Sequence, residues 1–157
     1  MYKKILLGVD GSDVSNNAIK KVIELKKSLG SEVVIIHSVK HHYIPQMVPV
    51  LFPFGLNITH TLSSVDVENI REDYKRAGEM ILKNAEDDFK KENLDVETIL
   101  DLDESPEDYV KRVVKIENYD LVVIGYKGHH SHLRTAIIGT VAEKLVEAID
   151  CDLLIVK

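Results

Sequence analysis

Residues 121–142 read LVVIGYKGHHSHLRTAIIGTVA, and this stretch decides the fold. It begins with four apolar residues, three of them β-branched, which predicts a strand buried on both faces. Gly125 and Gly128 then bound a turn in which glycines can take positive φ and let another molecule approach the backbone. Gly139 follows, and an apolar pattern of helical spacing resumes after Thr140. Proteins of mixed α/β type bind phosphate with such a strand, glycine loop and helix start, because unpaired backbone N–H groups and the positive end of the helix dipole face the anion. The stretch therefore favours an anion-binding loop.

The charge of this loop agrees with an anionic ligand. No acidic residue lies between Gly125 and Thr140, although the whole chain has a net charge of −6. Lys127 and Arg134 carry positive charge, and the histidines of the loop add more when they are protonated. The alternative is a tight turn whose glycines serve geometry only, and it stays open because a G-x-x-G spacing alone is a weak signal.

Length and composition bound the class of protein. A chain of 157 residues is long enough for a substantial core, so residues 1–157 are expected to fold as a single domain. Its apolar runs are too short to span a membrane, and its first residues lack the apolar length and cleavage site of a signal peptide. The negative charge argues against nucleic acid as a partner, and the lone Cys151 suits a reducing compartment. We therefore expect a cytoplasmic protein with neither a membrane nor a nucleic-acid partner.

Strand and helix patterns alternate along the chain. Apolar runs predict strands over residues 3–9, 33–39, 96–100, 121–124 and 153–156. Helices are expected from Ser12 to Gly30, over 66–92, after Ser105 with Pro106 at the first helical position, and after Gly139. This alternation predicts an α/β fold with a single doubly wound, parallel five-stranded sheet, helices on both faces, and ligands beyond the carboxyl ends of the strands. Asp10, Ser38 and Gly125 all fall at such strand ends.

The two segments between the second and third of these strands differ in character. Residues 41–65 hold three of the four prolines and show no clean period. A connection of this length is expected to be a lid, a contact surface or a mobile segment, or else an ordered loop packed on its own core. The helix over 66–92 has an apolar stripe made of Val67, Ile70, Tyr74, Ala77, Ile81, Ala85 and Phe89.

Four segments together resemble the universal stress protein family over essentially the full chain. They are KKILLGVDGS near the start, VVIIHS in the second strand, DLVVIGYKG in the fourth, and the ending GTVAEKLVEAIDCDLLIVK. The nucleotide-binding branch of that family carries G-x2-G-x9-G-[ST], which Gly125, Gly128, Gly139 and Thr140 match. Here ten residues, not nine, separate Gly128 from Gly139, and the extra residue falls within residues 129–132. This insertion is expected to alter the outer contour of the loop and to leave its two ends as in the family.

The resemblance implies strand order 3-2-1-4-5 and an adenine nucleotide at the point where that order reverses. It implies ATP, or AMP or ADP, with Mg or Mn on the phosphates. In this assignment Asp10 contacts the nucleoside, Val9 and Ser38 line the adenine partly through their backbone, and the glycine loop surrounds ribose and phosphates. The expected nucleotide-binding set is Val9, Asp10, Ser38, Gly125, Tyr126, Lys127, Gly128, His129, Arg134, Gly139, Thr140 and Val141. The chain departs from many members at Asp103-Glu104, which places acids near the phosphates unless a divalent cation intervenes.

These features favour a regulatory binding module over an efficient ATPase. The chain has neither a P-loop nor the dinucleotide fingerprint, and no acid lies near the glycine loop in sequence to orient an attacking water. We therefore expect no catalytic residue, at most slow hydrolysis with a partner protein, and a stress-response switch. The last strand is nearly all apolar and falls at a sheet edge in the implied order, which is an aggregation hazard. A two-fold homodimer through residues 152–156 would cover it.

Two other functions remain open from the sequence. Histidines follow the second strand and recur in the glycine loop, at the same edge of the expected sheet, where they could meet around zinc or nickel. These are His37, His41, His42, His129, His130 and His132. No cysteine joins them and their spacing is not a recognised metal signature, so we expect no metal site. The last alternative is a dimeric interaction protein of the same fold that binds no nucleotide.

Overall fold

The computed structural model describes residues 1–39, 47–51, 57–61, 63–127 and 139–157. In chain order the elements are β1 (Lys4–Gly8), α1 (Asp13–Leu29), β2 (Glu32–Ser38), β3 (Met47–Leu51), β4 (Asn57–Thr61), α2 (Ser64–Lys91), β5 (Glu97–Asp101), α3 (Pro106–Glu117), β6 (Leu121–Gly125), α4 (Thr140–Val146) and β7 (Asp152–Val156). Among these residues no helix has the length and apolar character that a membrane span requires.

Five of the strands form one parallel sheet. Its order is β5-β2-β1-β6-β7, which is 3-2-1-4-5 when the strands of this sheet are counted along the chain. In the register of the central strand, Leu6 lies opposite Val34 on one side and Val122 on the other. The predicted sheet and its order are confirmed. Strands that are apolar throughout suit a parallel sheet, because helices cover both of its faces.

The core has two halves, one on each face of the sheet. On the first face Ile5 and Leu7 pack with α1 and α2, and Phe89 of α2 is fully buried among them. On the second face Leu6 packs with α3 and α4, together with the fully buried Leu145. Successive side chains of β1 therefore pack into opposite halves of the core, because side chains along a strand alternate between the two faces of the sheet.

The predicted helix ends are confirmed at α1 and α3. The Ser12 hydroxyl accepts a hydrogen bond from the Ser15 amide, and Gly30 ends α1 with φ 69° in the left-handed region. Ser105 caps α3, and Pro106 occupies its first turn, where a missing N–H costs nothing. These local signals therefore determined where both helices begin.

The apolar stripe of α2 differs from the predicted one. Ala77 is exposed, whereas Gly78 and Leu82 face the sheet and are buried. The prediction counted apolar side chains at helical spacing and so passed over a glycine. In the folded chain the inward position belongs to Gly78, where a Cβ would lie 2.7 Å from Leu100 Cδ1 and 2.9 Å from His37 Cδ2.

Part of the segment 41–65 forms an antiparallel hairpin of β3 and β4. Val48 lies opposite His60, and Pro49 lies opposite Thr59. The sequence predicted no strand here, because the segment shows no clean period. Residues 41–46, 52–56 and 62 lie outside the described part of the chain, so the interpretation of this segment as a lid or contact surface stays a prediction.

Asp120 joins the start of β1 to the start of β6. Its Oδ2 accepts hydrogen bonds from the backbone N–H groups of Lys4, at 2.8 Å, and Lys3, at 2.7 Å. Both bonds lower the pKa of the Asp120 carboxyl, and the bond from Lys4 has the larger effect. The folded state therefore prefers the ionised form, and the resulting stability is present at neutral pH and is lost as the pH falls through the lowered pKa.

We expect Asp120→Asn to destabilise the protein at pH 7 and to have a shrinking effect below about pH 4, where the carboxyl of the unfolded chain takes up protons while the folded carboxyl, with its lowered pKa, is still ionised. Urea midpoints of both proteins between pH 3 and pH 7 measure the difference. Asp150→Asn is the control, because the Asp150 side chain is 81% exposed. A difference between wild type and Asp120→Asn that stays constant over this range would contradict the assignment.

Candidate functional site

The predicted site residues of three strands meet at one edge of the sheet. Val9 and Asp10 follow β1, Ser38 ends β2 and Gly125 ends β6. β1 lies between β2 and β6, and all three strands run in parallel, so these positions share the carboxyl edge. The chain reaches β2 on one side of β1 and β6 on the other. This is the switch point at which open α/β sheets bind their ligands.

The turn after β1 has a fixed geometry. The Asp10 carboxylate oxygen Oδ1 accepts hydrogen bonds from the Ser12 amide, at 3.0 Å, and from the Ser12 hydroxyl, at 2.6 Å. The Asp10 amide donates to Ser15 Oγ in the first turn of α1. Gly11 takes φ +77°, and a Cβ there would lie 3.1 Å from Ile81 Cγ1 of α2. Asp10 is thus half-buried beside the start of α1, in a turn that only glycine closes without strain.

Ser38 connects β2 to the loop after β5. Its hydroxyl donates to the backbone carbonyl of Glu104 at 2.6 Å, and the residue is 7% exposed. The next amide, that of Val39, donates to the Asp101 carbonyl. The Ser38 hydroxyl therefore serves a structural bond between β2 and the loop after β5.

The acid at position 104 is balanced within the fold. Arg112 of α3 lies with Nη2 2.6 Å from Glu104 Oε1, and its Nε donates to the same oxygen at 2.9 Å. This pairing raises the pKa of the Arg112 guanidinium. The sequence suggested that acids here would need a divalent cation beside a polyphosphate. For Glu104 a neighbouring arginine meets that need.

Gly125 is required for a reason that the sequence did not indicate. Positive φ angles occur among the described glycines only at Gly11 and Gly30, so the suggested left-handed turn does not begin at Gly125. Instead a Cβ on Gly125 would lie 3.2 Å from Val14 Cγ1 and 3.4 Å from the Ser15 amide nitrogen. The glycine lets the end of β6 approach the start of α1 closely, next to the Asp10 turn.

Backbone hydrogen bonds order the chain on either side of the glycine loop. The Tyr126 amide donates to the Val156 carbonyl at 2.7 Å, and the Gly139 amide donates to the Tyr126 carbonyl at 2.9 Å. The sequence predicts that the Gly139 amide faces an anion. In the structure this amide instead joins the two ends of the loop. The Lys127 and Lys157 ammonium groups lie 5.6 and 5.2 Å from the centre of the Tyr126 ring, in cation–π range.

The helix after the loop begins as predicted. Gly139 is the N-cap of α4, and its φ of −62° and ψ of 149° are open to any residue. The amides of the first helical turn have no acceptor within the helix, which is general for helix starts. Thr140 is exposed there, whereas the Val141 side chain packs against the second core. Gly128, His129 and Arg134, the remaining members of the predicted set, lie outside the described residues.

The metal alternative gains no support from the part of the chain that the structure describes. Within it no three His, Cys, Asp or Glu residues form a group that could bind a metal ion. His37 is buried, and its ring bonds to the Val9 carbonyl. The other five histidines of that hypothesis lie outside the described residues.

Comparison with known proteins agrees with this architecture. The model of the universal stress protein family matches residues 1–157. The chain belongs to the universal stress protein family. The universal stress protein YxiE of Bacillus subtilis is 27% identical over 166 residues, which cover 100% of both chains. The universal stress protein MJ0577 of Methanocaldococcus jannaschii is 27% identical over 164 residues, which cover 100% of this chain and 96% of that one.

Solved structures of universal stress proteins share the fold. UspA of Lactobacillus plantarum superposes with a TM-score of 0.76 at 18% identity, covering 99% of this chain and 98% of that one. An Archaeoglobus fulgidus universal stress protein in complex with dAMP gives 0.60 at 19% identity, with coverages of 99% and 98%. An Arabidopsis thaliana member with AMP bound gives 0.62 at 16% identity, with coverages of 99% and 91%.

Two features of this universal stress protein's site were missed from its sequence. Lys157 lies beside Tyr126, and its position directly after the last strand would have marked it, because every strand of a parallel sheet ends at the ligand edge. Gly78 belongs to no recognisable sequence motif. Its partners, His37 and Leu100, are distant in sequence, so no local signal could have found it.

Proposed function

We propose that this universal stress protein binds an adenine nucleotide at the carboxyl edge of its sheet and acts as a stress-response regulatory switch. The observation that carries the proposal is the convergence of the Asp10 turn and the end of β6 at the switch point, in contact through Gly125 and Val14. The structures of relatives with AMP and dAMP support adenine as the base.

The site divides into a nucleoside side and a phosphate side. On the nucleoside side, the backbone of Val9 and Ser38 would line the adenine, and the Asp10 carboxylate would contact the ribose. Buried backbone groups suit a flat heterocycle, since they read its edge at fixed positions. The Ser38 hydroxyl is already bonded to Glu104, so its part in this contact is proposed for the backbone alone.

On the phosphate side, positive charge and backbone amides would meet the anion. Gly125, Tyr126 and Lys127 lead into the loop, whose Gly128, His129 and Arg134 we propose as further contacts. Because the Gly139 amide already bonds to Tyr126, the amides that we propose for the phosphates are those after it, at Thr140 and Val141. ATP, ADP and AMP share these contacts, and Mg or Mn would accompany the longer phosphates.

The environment of Asp10 favours a nucleotide-dependent switch over an enzyme that hydrolyses the nucleotide. Its Oδ1 accepts two hydrogen bonds from Ser12, which hold the carboxylate towards its own turn. A carboxylate held in this way orients a ligand better than it activates water. We therefore propose that hydrolysis is at most slow and that the state of the bound nucleotide is what partner proteins recognise.

Nucleotide carried through purification tests this function. Protein purified without added nucleotide is denatured, and the released small molecules are identified by chromatography and mass spectrometry. We expect an adenine nucleotide in an amount comparable with that of the protein. A guanine nucleotide, or a folded protein that carries none and takes up none from added AMP or ATP, would contradict the proposal and favour a protein that acts only through its interactions.

We also propose that β7 forms the contact of a two-fold homodimer. Among the described strands β7 pairs with β6 alone, so its other edge carries unpaired backbone groups. Its residues Leu153 to Val156 are all apolar and only half-buried in the single chain. The same strand of a second copy would pair with this edge and cover those side chains.

Leu154→Lys is expected to convert the dimer to a monomer, because it places a charge within the proposed contact. Sedimentation measures the mass of each protein at matched concentration, and circular dichroism confirms that the variant is folded. Val146→Lys is the matched control, since the Val146 side chain is 58% exposed on α4 and the change of charge is the same. A monomeric wild-type protein, or a folded Leu154→Lys variant that stays dimeric, would contradict this interface.

A further inference from the structure

A buried histidine lies directly beneath the proposed nucleotide site. His37 is the penultimate residue of β2 and is 6% exposed. Its Nδ1 is 2.7 Å from the carbonyl oxygen of Val9, at the end of the neighbouring strand β1. The bond therefore crosses from β2 to the residue that precedes Asp10. A side chain in this position can orient the backbone of the proposed site through this hydrogen bond, without contacting a ligand.

The geometry determines which ring nitrogen carries the proton. A carbonyl oxygen can only accept a hydrogen bond, so Nδ1 must be the donor, and in the neutral ring Nε2 carries the lone pair. A donor at 2.7 Å in a buried environment orients the carbonyl firmly, because water is not present to compete for it. The backbone of Val9 is thus held at both of its polar groups, since its amide also donates to the Ile36 carbonyl at 3.0 Å.

Helix α2 is shaped to admit this ring. A Cβ on Gly78 would lie 2.9 Å from His37 Cδ2 and 3.5 Å from its Nε2. The first of these distances is shorter than real Cβ contacts allow, so the absence of a side chain at Gly78 provides the space for the imidazole. One turn along the same helix, Ile81 contacts Gly11 in the Asp10 turn. The ring and the turn are therefore enclosed by one surface of α2.

We propose that His37 is a positioning residue for the nucleotide site. By donating from Nδ1 to Val9, it fixes the carboxyl end of β1 and so places the Val9 backbone and the Asp10 carboxylate for the nucleoside. The inference rests on the proposed adenine-nucleotide site and adds to it a residue that touches no ligand. Removing the donor leaves the buried Val9 carbonyl short of a partner and lets the turn relax, so the loss falls on binding as well as on stability.

Two substitutions of similar size separate the donor from the volume of the ring. In His37→Asn the side-chain Nδ2 occupies the place of Nδ1 along the side chain and can donate to Val9, whereas His37→Leu has no donor. We expect His37→Asn to bind AMP within about twofold of wild type and His37→Leu to bind about tenfold more weakly, the effect of one buried hydrogen bond. Calorimetric titration with AMP measures both, at a temperature where circular dichroism shows each variant folded.

The outcomes of this titration are distinct. Equal AMP affinities for folded His37→Leu and His37→Asn would overturn the positioning role while leaving the nucleotide site standing. A folded wild-type protein that binds neither AMP nor ATP would overturn the proposed function and the inference with it. If His37→Leu does not fold, NMR of the wild type decides the question. We then expect an Nδ1-protonated ring and shifts of both the His37 ring nitrogen and the Val9 carbonyl on saturation with AMP; an Nε2-protonated ring or unmoved signals would overturn the role.

Discussion

Gly78→Ala is expected to destabilise the protein by about 2 kcal/mol, the usual cost of overpacking a well-filled core. The result would run against helix propensity, because glycine within a helix costs about 1 kcal/mol relative to alanine. A Cβ at this position would lie 2.7 Å from Leu100 Cδ1 and 2.9 Å from His37 Cδ2. The Leu100 methyl group ends a flexible side chain and can turn aside, whereas the His37 ring is held by its bond to Val9, so the ring or α2 must shift. Chemical denaturation followed by circular dichroism measures the change.

Ala77→Gly is the matched control, because it exchanges the same two residue types at the adjacent, exposed position of α2. Propensity alone governs that site, and we expect a loss of about 1 kcal/mol. If Gly78→Ala instead stabilises the protein by a similar amount, α2 does not approach the sheet as closely as described, and the support that it gives to His37 is absent.

Gly125→Val is expected to weaken AMP binding by tenfold or more, equivalent to about 1.4 kcal/mol. A Cβ there already meets Val14 Cγ1 at 3.2 Å and the Ser15 amide nitrogen at 3.4 Å, and valine adds two further methyl groups. The start of α1 must then shift. Because Ser15 bonds to both Asp10 and Ser12, that shift reaches the Asp10 turn. Titration with AMP measures the affinity, and thermal unfolding measures the accompanying loss of stability.

Gly125→Ala is expected to have the same kind of effect at a smaller size. Its Cβ requires the Val14 methyl group to move by a few tenths of an ångström, which a side chain can do, so we expect a much smaller loss of affinity than for valine. Equal affinities for the alanine and valine variants, both folded, would show that the close approach of β6 to α1 does not position the site.

Local signals in the sequence were sufficient for the elements of the five-stranded sheet and for several of the helix ends. The apolar run at 121–124 predicted a buried strand, Ser12 and Gly30 predicted the ends of α1, and Ser105 with Pro106 predicted the start of α3. Each signal acts through neighbours within a few residues, which makes it readable without a structure. The order of the strands came from the resemblance to the family, and the sheet confirms it.

Contacts between distant segments could not be predicted in this way. Gly125 was interpreted through backbone freedom, but its role depends on Val14 of another element. The bond from the Gly139 amide to Tyr126 spans the whole glycine loop, so the role of that amide depends on how the loop closes. The segment that holds β3 and β4 shows no clean period, and the pairing of Pro49 with Thr59 is not visible in the local pattern. In each case the deciding partner is supplied by the fold.

Calorimetric titration of the intact wild-type chain with AMP and with ATP tests the central claim most directly, that the carboxyl edge beside Asp10 and Gly125 is an adenine-nucleotide site. We predict saturable binding of one nucleotide per chain that folded Gly125→Val loses by tenfold or more. A folded wild-type protein that releases no heat and takes up neither nucleotide at millimolar concentration, or a Gly125→Val variant that binds as the wild type does, would contradict it.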